Sequence, residues 1–306
     1  NSATYPTGAG IEVAGTGQFY VGAATAITTF DIVGAGLAEG YPKTITKSSE
    51  GKLEFGNLVI SAKPNNEVTT ASDFEITGSG GSDFSNAGAG GKFIATAGTI
   101  TFSGDAPVIE SVSPAVTQFY NILGEGDADI TFPATTQEIM IAGDLILNDQ
   151  STIAPGGTNS KVIFNGSSTQ YIKGNSITLN AVQFADLQIN KANNSELILE
   201  IDATIAINDA HELTLTNGIL NLGSKTLSVG AGIISRHNGV INGASGTLLV
   251  NTTTDPVWLA NYYFEVNGEP TLYNLTVATA HSTANDLTVN GTLLLQADLT
   301  IASGTS

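Results

Sequence analysis

The chain has 306 residues, with 10 Lys and Arg against 28 Asp and Glu, a formal charge of −18, and no cysteine. So acidic a chain repels phosphate backbones, which excludes nucleic acid as a partner; the missing thiols exclude disulfides, zinc–thiolate sites, iron–sulfur clusters and Cys nucleophiles. Apolar residues make up 41%, enough for a packed core, so a wholly disordered chain is excluded as well.

In chain order, the sequence opens Asn1-Ser2-Ala3-Thr4 without a basic-then-apolar leader. It nowhere holds an apolar run near the ~20 residues of a membrane helix, so no transmembrane segment is expected. The start reads as a chain whose signal peptide has been removed or as a piece of something longer, and the C-terminus reads as a cut through a continuing repeat. Residues 1–98 alternate least regularly, and the Gly- and Ser-rich stretch Gly78–Gly91 reads as a loop or insertion. Beyond it, short apolar runs such as Leu145-Ile146-Leu147, Leu197-Ile198-Leu199 and Leu287-Thr288-Val289 are bounded by Gly, Asn, Asp or Ser. Many short β-strands are expected and almost no helix. Glu125, Asp127 and Asp129 share one Gly-rich turn, and three carboxylates on a flexible turn suit calcium. The bland alternative is an acidic surface turn. The triplets Thr44-Ile45-Thr46, Thr99-Ile100-Thr101 and Thr214-Leu215-Thr216 are too far apart to stack in one array, and the β-propensity of Thr accounts for them.

The clearest period lies at 203–251, where apolar residues recur every seven: Leu213, Leu220, Leu227, Ile234, Ile241 and Leu248. A coiled coil fails here, since each interspersed Gly would cost about 1 kcal/mol in a helix. A five-residue strand with a two-residue corner fits, and three such sides make a coil of about 21 residues. Stacked coils about 4.8 Å apart shelter one another's apolar side chains, for roughly 14 or 15 coils and a rod of about 70 Å. The expectation is an all-β parallel solenoid over 1–306 as one continuous domain, with blocks near 99–163, 164–247 and 248–306. The alternative is a string of antiparallel sandwiches, because Asn-Gly pairs such as Asn217-Gly218 are also hairpin signals. An aromatic or Leu followed by a small polar pair and a strand recurs at Phe55, Phe119, Phe184 and Leu272 and reads as a longer duplicated module.

Two clusters carry candidate chemistry. Ser235-Arg236-His237-Asn238 holds the only Arg, with Asp209, Glu212 and Asp255 about one coil away. Glycoside hydrolysis needs two placed carboxylates, and a solvated corner is the simpler reading. Trp258, Tyr262 and Tyr263 form the densest aromatic cluster, a candidate platform for polysaccharide or a protein partner. The plain alternative is that they fill a coil.

The run Phe164-Asn165-Gly166-Ser167-Ser168-Thr169-Gln170-Tyr171-Ile172-Lys173-Gly174, followed by Phe184-Ala185-Asp186-Leu187-Gln188-Ile189 and by Leu-Thr-Leu-Thr-Asn-Gly units, resembles the long repetitive surface proteins of Bacteroidota. Asn290-Gly291-Thr292-Leu293-Leu294-Leu295 is similar. The resemblance implies an extracellular, cell-surface protein, often exported by the type IX system, in an adhesin, gliding or fibre role. The function expected is a non-enzymatic stalk without resident cofactor that holds a binding tip away from the cell. Its partners would be other segments of the same fibre, polysaccharide or cell-envelope proteins. The alternatives are a polysaccharide-binding module and a solenoid carbohydrate-active enzyme.

Overall fold

The computed structural model describes residues 53–60 and 67–250 with short breaks. Outside them it describes only the strands Ile11–Val13, Phe19–Val21, Thr29–Ile32, Lys43–Lys47, Val257–Trp258, Thr271–Leu272, Asn274–Val277, Leu294–Leu295 and Leu299–Ile301. Among the described residues there is no helix, and each strand pairs in parallel with strands about one coil away in sequence. This is a parallel β-solenoid. The sandwich alternative falls because Glu212–Asn217 and Ile219–Asn221, which could have formed one hairpin, lie on different faces and do not pair.

One coil shows the plan. Lys161–Phe164 lies on a first face, Gln170–Gly174 on a second and Val182–Phe184 on a third; Asp186–Asn190 then returns to the first face beside Lys161–Phe164. Among the described residues the first face has 11 strands and the second 10, while the third is split into sheets of 4 and 8. The split falls between Ile109–Ser111 and Asp129–Phe132, where a lone bridge joins Val108 to Thr131. Buried Asn86, Ser111 and Thr117 meet there: Asn86 Nδ2 donates to Thr117 Oγ1 at 3.0 Å, and the Thr117 hydroxyl donates to Ser111 at 2.9 Å.

Strand alternation builds the core. In Asp129–Phe132 the even positions Ile130 and Phe132 are buried and the odd ones are not. Because pairing is parallel and in register, inward residues of successive coils stack, as Ile139, Val162, Leu187 and Leu213 do. A side chain of this size contributes roughly 1.5–3 kcal/mol when fully buried, and here the cover comes from the coils on either side. Phenylalanines fill the earlier coils. Phe84 lies 4.9 Å from Phe93 and 5.0 Å from Phe119 between ring centroids, in edge-on and tilted contacts of the kind aromatic quadrupoles favour.

Three sequence expectations need correction. The 21-residue coil holds where it was read, with Glu212 beside Ile233 and Ile219 beside Val240, and recurs at Glu54 beside Glu75 and Val182 beside Ala203, but it is not general. Most other spacings are longer: Gln118 to Met140 is 22 residues, Lys161 to Asp186 is 25 and Leu187 to Leu213 is 26. Among the described residues the first face has 11 strands, spanning about 48 Å at the usual inter-strand spacing; at these longer spacings a chain of this length makes fewer coils than the 14 or 15 expected. Second, Gly78–Gly91 is not simply a loop: it contains the third-face strand Phe84–Asn86, all of it buried. Third, the aromatic–polar–strand motif marks a one-residue corner rather than a fixed place in the coil. Phe55 ends a second-face strand, Phe119 a first-face strand and Phe184 a third-face strand.

Candidate functional site

The corner between the first and second faces varies in length. It is Tyr120 alone in one coil, 142–144 in the next, then Asn165–Thr169 and Lys191–Ser195, and Gly218 alone after that. A longer corner leaves carbonyls without ladder partners, and buried polar groups need partners. Two side chains supply them. Gln170, fully buried, directs Nε2 to the Gly143 carbonyl and, at 2.9 Å, to that of Ile141, which also takes the Asn165 N–H, and its Oε1 accepts the Gly166 N–H at 2.8 Å. Lys191, 2% exposed, directs Nζ to the carbonyls of Gly166 at 3.1 Å and Ser168 at 2.9 Å and to Gln170 Oε1 at 2.5 Å.

Two glycines make the space. A Cβ on Gly166 would stand 2.8 Å from Gln170 Cδ and 2.2 Å from the Ala142 carbonyl. Gly218, at φ +87°, leaves room for the Lys191 stem, which a Cβ would approach to 2.7 Å. Burial pulls the Lys191 ammonium down to about 8, against the opposing attraction of the Asp144 carboxylate. Asp144 accepts the Tyr171 N–H at 2.9 Å and pairs with Lys173 Nζ at 2.5 Å. The result is a buried amine touching a buried carboxamide.

A second buried ionisable group is Asp83, with no exposed surface. Its Oδ2 accepts the Val108 N–H at 2.9 Å, and the Asn57 carboxamide, with its nitrogen turned inward, donates to Oδ1 at 3.0 Å. Burial pushes its pKa up from 3.8, partly offset by the backbone donors of Val108 and Gly80.

The residues picked from the sequence lie elsewhere. Glu125, Asp127 and Asp129 are exposed; Asp127 accepts from Gln150 Nε2 at 2.9 Å and Asp129 from Thr152 Oγ1 at 2.7 Å, both in the following coil. Among the described residues no group of three or more His, Asp or Glu is placed to hold a metal ion. Asp127 and Asp129 thus act as acceptors between coils. Trp258 lies in a first-face strand with its backbone beside Ile234; Tyr262 and Tyr263 lie outside the described residues, as do His237, Asp209 and Asp255. Arg236 ends the strand Ile233–Arg236 beside Leu215. Thr99 and Thr101 are on the second face, whereas the other Thr triplets are on the first, in distant coils. Sequence reasoning passed over Gln170 and Lys191, because neither position differs in pattern from an ordinary polar corner. The one signal was length: two successive loops of five residues between apolar strands.

Comparison with known proteins finds no matching family model, no matching curated protein and no matching solved structure.

Proposed function

We propose that the chain is a stalk or fibre segment of an extracellular bacterial surface adhesin, holding a binding tip away from the cell and joining other segments of the same fibre. Its role is mechanical and non-enzymatic. One observation carries this reading: an apolar column continuous through successive coils, each coil sheltered only by its neighbours, so that the chain extends along one axis. Parallel ladders on three sides resist bending more than a flexible linker does. The net charge of −18 keeps such rods soluble and apart.

The test uses the intact surface protein on cells. Replacing the segment by a Gly/Ser linker of equal residue number leaves the tip folded but slack, and adhesion under flow should fall several-fold while purified tip still binds its target. Unchanged adhesion after the replacement overturns the stalk reading. So does specific polysaccharide binding or turnover by the purified segment.

A further inference from the structure

We propose that the outer surface of the first face pairs two copies of this chain face to face, with their long axes antiparallel. The observation is a charge pattern created by the ladder register. Glu67 stands beside Lys92, Lys92 beside Val116, and Glu138 beside Lys161. The register of Gln118 with Met140 puts Val116 beside Glu138. One outward column over five coils therefore reads Glu67, Lys92, Val116, Glu138, Lys161, each member followed by a buried residue. Charged residues are 12% of the chain, yet all but Val116 are charged here. Two positive and two negative groups make this strip neutral on a chain of net charge −18.

The order is antisymmetric about Val116: at equal distances on either side the charge changes sign. A two-fold axis lying in the contact plane along the strand Val116–Phe119 reverses the order of the coils and keeps each column over itself. It sets Lys92 against Glu138 of the second copy and Glu67 against Lys161 of the second copy, each pair occurring twice. Such self-complementarity is what an isologous interface requires. Pairing with the axes parallel would instead set each coil against its own counterpart, where the charges are of like sign. The neighbouring outward column runs Thr69, Ile94, Gln118, Met140, Ile163. The same axis sets Ile94 against Met140, so apolar groups meet beside the ion pairs. Within one chain Lys92 Nζ lies 3.9 Å from Glu67, and the two side chains remain 51% and 42% exposed, so both can reach a second copy. Five coils at about 4.8 Å by four strand residues at about 3.3 Å cover roughly 300 Å² a side, against about 800 Å² for a standard interface. The pair is therefore weak and reversible, and the acidity of the remaining surface opposes any tighter contact.

This does not depend on the stalk reading, since self-association is measured in solution without cells or a tip. The experiment is sedimentation of the purified full chain from about 10 to about 500 μM, with carbodiimide cross-linking of a mixture of unlabelled and isotope-labelled chains. The expected result is a dimer that grows with concentration and mixed-label peptides joining Lys161 to Glu67. Within one chain these residues are four coils, about 19 Å, apart, too far for a zero-length link, so the link reports a second copy. Lys92→Glu or Glu138→Lys alone sets like charges against each other twice in the pair and should weaken it at least about tenfold. An equimolar mixture of the two variants restores opposite charges at both places and should pair like the wild type, a recovery that no folding defect would show. If either variant fails to fold, the wild-type Lys161–Glu67 link decides alone. A chain that stays monomeric without that link, a dimer linked only through other faces, or a mixture as weak as its parts overturns the proposal.

Discussion

Asp202 and Thr226 stand one above the other at the starts of two successive third-face strands, and the Asp202 carboxylate accepts the Thr226 backbone N–H at 2.7 Å. The same relation recurs on the other faces. Asp73 accepts Thr99 N–H at 2.7 Å, Asp144 accepts Tyr171 N–H at 2.9 Å, and Asp186 accepts Glu212 N–H at 2.7 Å. In each case the carboxylate belongs to the earlier coil and the donor to the later one. An N–H at or next to the start of a strand lacks a ladder partner, and an aspartate one coil back supplies it. Part of the chain's acidity is thus structural.

Asp202→Ala should therefore lower stability by about 1 kcal/mol, the usual net worth of such a bond, and Asp202→Asn, which keeps an oxygen in place, by less. Urea unfolding of the two variants gives the comparison. Equal losses would mean that the oxygen contributes nothing.

Phe84→Ala should cost about 3–5 kcal/mol, because it opens a cavity among Phe93 and Phe119. In a stacked array the damage is local. Amide hydrogen exchange should quicken around Lys92–Ala95 and Val116–Phe119 and change little at Thr226–Val229. Uniform quickening over the chain would contradict nearest-neighbour stacking.

Asp83 makes stability depend on pH in an unusual sense. Its folded pKa lies above 3.8, so the native chain holds this proton to higher pH than the unfolded chain does. The stabilisation is complete below 3.8 and is lost as pH rises through the folded value. Asp83→Asn keeps the shape without the buried charge. Measured by urea midpoint, it should match or exceed the wild type at neutral pH, and the difference should move in favour of wild type in acid. A variant much weaker at neutral pH, with a gap that does not change in acid, would refute this assignment.

Gly218→Ala and Gly80→Ala separate strain from collision. Both positions have positive φ, +87° and +107°, but a Cβ at Gly80 meets nothing within 4 Å, whereas one at Gly218 meets Lys191 Cβ at 2.7 Å. Left-handed backbone alone costs about 1–2 kcal/mol for a residue with a side chain. Gly218→Ala should exceed that and Gly80→Ala should not, as judged by thermal melting.

The sequence carried the parallel solenoid because each inward residue is apolar and each corner is marked. Leu213, Leu220 and Leu227, seven residues apart, fall on the first, second and third faces in turn. It carried the spacing poorly, since the run of minimal coils at 212–250 is not the rule elsewhere. Extra residues such as Asn165–Thr169 change the count without touching the alternation. Phe84–Asn86 was hidden because its neighbours are Gly and Ser, and a three-residue strand leaves little periodicity to detect. The Gln170–Lys191 pair was not legible, since a buried lysine looks like any other in a polar loop. What distinguishes it is the set of carbonyls stranded by the corner, and these belong to residues of any type.

The unequal corners have an evolutionary consequence. One edge of the prism takes one, three or five residues while the ladders on either side stay in step. Insertions of that size are absorbed there while the neighbouring windings stay in register, so that edge can lengthen at little cost to the walls. New chemistry should appear first along it.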